Sequence, residues 1–232
     1  MSASRSSSST SPTTFQQELA ATARHLASVL PPAASQTIDG GIAQVAAAGL
    51  ARHALGAGQL APDFTLPDAS GAPVALAQLL ESGPVVLFFY RGNWCPYCNV
   101  QLRAYQQLLP ELARYGATLV AVSPQTPDFT SLTASEKSLS FPVLSDAGNG
   151  VARHYGLAHA VGAPVADTLR SVGIDLSAYN GTSDDELPFT ATFIIGTDGV
   201  IAWSWVEASF KHRADPEAIL AALAQVPLGQ AA

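Results

Sequence analysis

Cysteine is nearly absent from this chain: there are two among 232 residues, and they stand three apart. That scarcity excludes a disulfide framework, which needs several cysteines closing long loops. Charged residues are also few, at 12%, and the balance is acidic, with a net charge of −7. Lys and Arg nowhere cluster, so the basic face of a nucleic-acid binder is missing. Long apolar runs are missing too. None approaches the ~20 residues of a membrane-spanning helix, and no membrane association is expected. A secretory signal needs an apolar stretch near the start, where this chain carries Glu18, Arg24 and His25. The cytoplasm is therefore the expected compartment. Metal ligands are scarce. A structural zinc needs about four, yet there is no second Cys pair, and His25, His53, His154, His159 and His212 are scattered. Gly71, Gly92 and Gly199 read as turn glycines and no phosphate-binding loop occurs, so no cofactor is expected.

What is present suffices for a core. Hydrophobic residues make up 48% of the chain, and the length fits one generous α/β domain with an appendage. Residues 1–13 form a Ser/Thr tract that cannot build a core and is expected to be a disordered tail. Phe15, Leu19, Ala23, Leu26 and Leu30 then recur at helical spacing until Pro31-Pro32. A second, Ala-rich helix is predicted over about 42–55, with Gly56 as C-cap. Residues 14–57 thus form a helical extension that packs on the domain or on a second subunit, as in a homodimer. The domain itself is expected over 58–228, followed by a short tail at 229–232.

Within that domain, residues 61–76 carry the punctuation of a hairpin. Strands are predicted at 85–90, 118–123, 141–145, 192–195 and 200–205, and helices at 96–115, 129–137 and 151–155. The stretch 161–188 reads as an irregular connection rich in Gly, Pro and Asp. A last helix opens at Asp215 as N-cap with Pro216 behind it. This order predicts an α/β domain with a central mixed β-sheet flanked by helices.

The chemistry concentrates where the strand 85–90 runs through Arg91-Gly92-Asn93-Trp94 into Cys95-Pro96-Tyr97-Cys98. Cys95 falls where a helix begins, and Pro96 suits the first helical turn. Unpaired N–H groups and the helix dipole favour an anion at that end, so Cys95 is expected to be the more acidic and the more exposed thiol. Cys98, one turn on, is expected to be buried. Arg91 either steadies a thiolate and polarises a bound oxygen or forms a surface ion pair. Trp94 either packs or offers a partner surface. Trp203 and Trp205 alternate on a strand and are expected to pack.

The run from Tyr90 to Asn99 resembles the active-site stretch of peroxiredoxin-like proteins of the alkyl hydroperoxide reductase/thiol-specific antioxidant family. Ala61-Pro62-Asp63-Phe64-Thr65-Leu66 is similar to the opening of that family. The segments 141–146, 151–156 and 192–199 resemble its middle and its late hairpin. The resemblance implies a thioredoxin-like fold and a peroxide-reducing enzyme. Cys95 would attack the peroxide and become a sulfenic acid, Cys98 would resolve it to a disulfide, and an external dithiol such as a thioredoxin would reduce that. A general thiol–disulfide oxidoreductase and a non-catalytic redox switch are the alternatives. Three slots depart from the pattern. Phe88 and Gly92 replace the usual Pro and Thr before the reactive Cys, and Phe88-Phe89 lies where thioredoxins keep a buried acid. Thr190 occupies the slot of the usual cis-Pro, with Pro188 two residues earlier. The Pro96-Tyr97 interior is like that of glutaredoxins but does not by itself identify glutathione as the reductant.

Overall fold

A computed structural model describes residues 13–226. The expected tails, apart from Thr13, lie outside the described residues. Two helices come first, α1 (Thr14–Val29) and α2 (Pro32–Ala48), followed by the hairpin β1 (Thr65–Pro67) and β2 (Pro73–Ala75) and the short α3 (Leu76–Leu80). The main body runs β3 (Val85–Phe89), α4 (Pro96–Arg114), β4 (Thr118–Ser123), α5 (Pro127–Glu136), β5 (Val143–Ser145) and α6 (Gly150–His154). Next come β6 (Ala158–Ala160), α7 (Ala163–Ser171), α8 (Leu176–Asn180) and β7 (Glu186–Pro188). The chain closes with β8 (Thr190–Ile195), β9 (Ile201–Glu207) and α9 (Pro216–Leu223).

Five strands make the central sheet, in the order β5-β4-β3-β8-β9. β3 pairs parallel with β4, and β4 with β5, while β8 runs antiparallel to both β3 and β9. β3 is in the middle, which explains its unbroken apolar run: a strand covered on both faces has no polar side. Val86, Phe88 and Tyr90 face a core built with α1, α4 and α9. Val85, Leu87 and Phe89 face the opposite core, with Phe64, Leu76 and Tyr155. The aromatic pair Phe88-Phe89 therefore divides between the two cores. The mixed sheet with helices on both sides agrees with the fold class expected from the sequence.

Two segments differ from the expectation. The second helix starts at Pro32, about ten residues early, and ends at Gly49 in the left-handed region rather than at Gly56. Pro31-Pro32 does stop α1, but Pro32 also takes the first position of the next helix, where its missing N–H costs nothing. Gly40-Gly41 hides the helix from a propensity reading. Its reason is contact: a Cβ on Gly41 would stand 2.5 Å from Val165 Cγ2 of α7. The stretch 161–188 is not irregular, since it holds α7, α8 and β7, which pairs back with β6 just ahead of it. Pro164, which reads as a loop residue, sits in the first turn of α7.

The N-terminal helices are tied to the sheet's own helices. Thr13 caps α1, accepting from Gln16 N–H at 3.2 Å, and its hydroxyl donates to Asp215 at 2.8 Å. Asp215 in turn caps α9 through Glu217 N–H at 3.0 Å. Lys211 pairs with Asp39 of α2. These tethers place α1 and α2 over the end of the sheet where the cysteines lie.

Candidate active site

β3 delivers the chain into the site. After Tyr90 donates its N–H to Val122 O at 3.0 Å, the backbone leaves the sheet. Asn93 N–H donates to the buried Gln125 side chain at 2.9 Å, and the Asn99 amide donates to Asn93 O at 2.8 Å. Cys95 N–H closes the turn onto Gly92 O at 3.2 Å. Cys95 is then the N-cap of α4 and Pro96 its first residue. The loop is pinned from both ends, so the first sulfur has a fixed address beside the free N–H groups of the helix start.

Gly92 adopts φ +151°, and a Cβ there would lie 2.4 Å from the indole nitrogen of Trp94. The slot that usually bears a hydroxyl therefore has no room for one. Gly92→Thr is expected to displace the Trp94 indole, lower peroxide reactivity rather than raise it, and cost roughly 1–3 kcal/mol of stability. Stopped-flow kinetics and Trp fluorescence check this. An unmoved indole with faster peroxide reduction would contradict it.

Both thiols are free and both are buried, Cys95 to 1% and Cys98 to 0% exposure. The expected order of exposure, Cys95 over Cys98, amounts to a difference of only 1%. The distinction between the two sulfurs lies in what they face. Cys95 lines a cavity of about 140 Å³, and Cys98 does not. Most of the cavity wall is apolar, with Leu26 from α1 and Leu30 just after it, Ile38 from α2, Val165 and Leu169 from α7, and Phe210. Trp94, half-buried, also lines it, and Pro96 sits exposed at its edge. Tyr97 is buried edge-on against Phe210, with ring centroids 5.9 Å apart.

Arg91 is not a surface ion-pair residue. It is 5% exposed, and no carboxylate pairs with it among the described residues. Its guanidinium lies over Phe210 at 3.8 Å and over Trp94 at 4.8 Å, a cation held between two aromatic faces. Its charge also acts on the Cys95 sulfur and favours the thiolate there.

A second buried guanidinium, absent from the sequence reading, approaches the other sulfur. Arg213 Nη2 lies 3.3 Å from Cys98 Sγ, and Arg213 Nε donates to Gln101 Oε1 at 2.8 Å. The only clue in the sequence is Gln101, a polar residue on the buried face of α4 that carries Cys98 and Tyr105. Burial by itself pushes both thiols up. On Cys98 that push is outweighed by a hydrogen bond from Cys95 and by the charge of Arg213, and its thiol falls well below the ordinary value. Cys95, facing that partner charge, is driven well above it. The two sulfurs therefore titrate as one pair that shares a proton and a negative charge, and the charges of Arg91 and Arg213 both favour its charged form.

Thr190 opens β8, buried beside the same sheet end, with Glu207 as its cross-strand partner. No cis peptide bond occurs among the described residues, so this slot is an ordinary strand residue. Its neighbour in a small adjoining pocket is His159, stacked on Phe189 at 4.1 Å. Burial, and next to it the charge of Arg91, hold the His159 imidazole down to about 4, against an ordinary 6.5. The unfolded chain then takes up this proton first as pH falls. Stability should be lost progressively from about pH 6.5 to about pH 4, by at most about 3 kcal/mol. His159→Phe is expected to flatten that part of the profile, as read from urea midpoints at successive pH values.

Among the described residues, no three His, Cys, Asp or Glu side chains stand together as metal ligands would. No helix among them is long and apolar enough to cross a membrane.

Known proteins resemble this arrangement. A Mycobacterium tuberculosis relative named as a peroxiredoxin is 36% identical over 100 residues, 43% of this chain and 65% of its own length. Peroxiredoxin Bcp of Escherichia coli is 32% identical over 103 residues, 44% of this chain and again 65% of its own length. The chain thus spans slightly less than two thirds of the length of these curated relatives. Among solved structures, the peroxidoxin BcpB of Mycobacterium tuberculosis matches with a TM-score of 0.59 at 28% identity, covering 73% of this chain and 97% of that one. The AhpC/TSA family model matches residues 57–204, from ahead of β1 to the middle of β9 and across the whole cysteine loop, and the chain belongs to that family.

Proposed function

We propose that this protein is a thiol-dependent peroxidase that reduces hydrogen peroxide or organic hydroperoxides through Cys95. The observation that carries the reading is Cys95 on the wall of an apolar cavity, with Arg91 at its side and Cys98 one helical turn behind. With the proton of the pair on Cys98, the Cys95 thiolate attacks the nearer peroxide oxygen, the O–O bond breaks, and the departing alkoxide or hydroxide takes up that proton, leaving Cys98 as a thiolate. The product at Cys95 is a sulfenic acid. Cys98 thiolate then attacks Cys95 Sγ. The S–S bond forms, the S–O bond breaks, and hydroxide leaves to become water. An external dithiol such as a thioredoxin attacks the disulfide, is itself oxidised, and returns the pair to its reduced state. That cycle suits the reducing cytoplasm. The apolar walls favour organic hydroperoxides over hydrogen peroxide.

A general thiol–disulfide oxidoreductase is the second reading, favoured by Gly92, which provides no hydroxyl to orient a peroxide. Stopped-flow oxidation of the reduced protein by hydrogen peroxide, an organic hydroperoxide and a small disulfide separates the two. Peroxides should oxidise it faster than the disulfide. A protein that consumes disulfides and ignores both peroxides belongs to the second reading.

A further inference from the structure

Arg213 has no obvious reason to be where it is. It is 3% exposed, and no carboxylate pairs with it among the described residues. A buried guanidinium without a counter-charge is expensive. Four contacts hold it in place: the backbone oxygens of Phe210 and His212, the side chain of Gln101, and Cys98 Sγ. Three of these are neutral. The sulfur is the one partner that can carry a negative charge. The loop that brings Arg213 is itself fixed, since Tyr105 donates to Ala214 O at 3.0 Å and Asp215 caps α9. Cys98, Gln101 and Tyr105 lie on one buried face of α4, at the spacing of successive turns. The guanidinium is thus laid along that face with its free end on the sulfur.

We infer that Arg213 is the residue that keeps Cys98 charged, making it both a ready resolving nucleophile and the preferred leaving group when the disulfide is reduced. This rests on the peroxidase reading for the resolving step only. Resolution rate depends on the thiolate fraction of the attacking sulfur, and reduction rate on how acidic the departing sulfur is. In resolution, Cys98 S⁻ forms the bond to Cys95 Sγ and hydroxide departs from it. In reduction, a dithiol thiolate attacks Cys95 Sγ, Cys98 leaves as S⁻ toward Arg213, and the second thiol of the donor releases Cys95 as the donor becomes a disulfide. Arg91 serves the other sulfur and the cavity, so the two guanidiniums divide the work.

The test compares full-length wild type with Arg213→Met, which keeps the stem and removes the charge, and Arg213→Lys, which keeps the charge. Sulfenic acid formation should change by less than about threefold in Arg213→Met. Disulfide formation at neutral pH should slow roughly tenfold or more, its pH midpoint should rise, and Cys95 sulfinic acid should accumulate under excess peroxide. Arg213→Lys should recover most of the loss. Reduction of the preformed disulfide by dithiothreitol should slow in Arg213→Met as well, and that measurement needs no peroxide. If wild type fails to react with peroxides, the peroxidase reading falls while this arm still judges Arg213. Should Arg213→Met misfold, ultraviolet titration of the lone Cys98 thiolate in Cys95→Ser decides, with a midpoint below that of an ordinary thiol expected. An ordinary or raised midpoint, an unchanged pH profile in Arg213→Met, or a Lys variant as impaired as Met would overturn the inference.

Discussion

Cys95→Ser should lower peroxide consumption by at least about 10³-fold, because a serine hydroxyl at this site is no substitute for a thiol nucleophile. Cys98→Ser should behave differently. With Cys98 gone, Cys95 still has Arg91 beside it and the helix start beneath it, and both favour its thiolate. The first oxidation should therefore survive. Turnover should stop after about one equivalent of peroxide, and mass spectrometry should find sulfenic and then sulfinic acid on Cys95. Equal loss of the first oxidation in both variants would mean that Cys98, not Cys95, meets the peroxide. Arg213, 3.3 Å from Cys98 Sγ, would favour that outcome. The outcome conflicts with access, because only Cys95 lines the cavity.

Arg91→Met is expected to depress peroxide reactivity on the order of 10²–10³-fold, and reduction of a small disulfide far less. Peroxide cleavage builds charge on the departing oxygen and needs a donor aimed at it. Gly92 supplies no hydroxyl, so Arg91 is the charged group that reaches both Cys95 and the cavity. Its place between Phe210 and Trp94 fixes the guanidinium without a carboxylate that would spend its charge. A disulfide substrate demands less of that donor, because its leaving group is a thiolate. An equal fall in both rates would make Arg91 a tuner of the thiol pair only. No change in either would remove it from the chemistry.

The sequence made the sheet legible because its central strands are short apolar runs bounded by Gly, Pro and Asp, a pattern with one easy interpretation. Val85 to Phe89 and Thr118 to Ser123 are examples. Cys95 as N-cap with Pro96 behind it was legible for the same local reason. What escaped depends on distant contacts. Gly41 looks like a helix breaker until Val165 is seen against it. Pro164 looks like a loop until it starts a helix. Helix position is a local guide to thiol acidity, whereas Arg213 acts on Cys98 across 115 residues of chain. Gly92 was visible as a departure, yet the indole that requires it became visible only in three dimensions.

A peroxidase of this design must turn over peroxide through the Cys95–Cys98 pair. The direct measurement is peroxide consumed per molecule of protein in the presence of an external dithiol, with the oxidised form mapped by mass spectrometry of non-reduced peptides. Many equivalents should be consumed, and the oxidised protein should carry an intramolecular Cys95–Cys98 disulfide. Consumption of a single equivalent or none, or oxidised protein found only as Cys95-to-Cys95 dimers, would contradict the peroxidase reading.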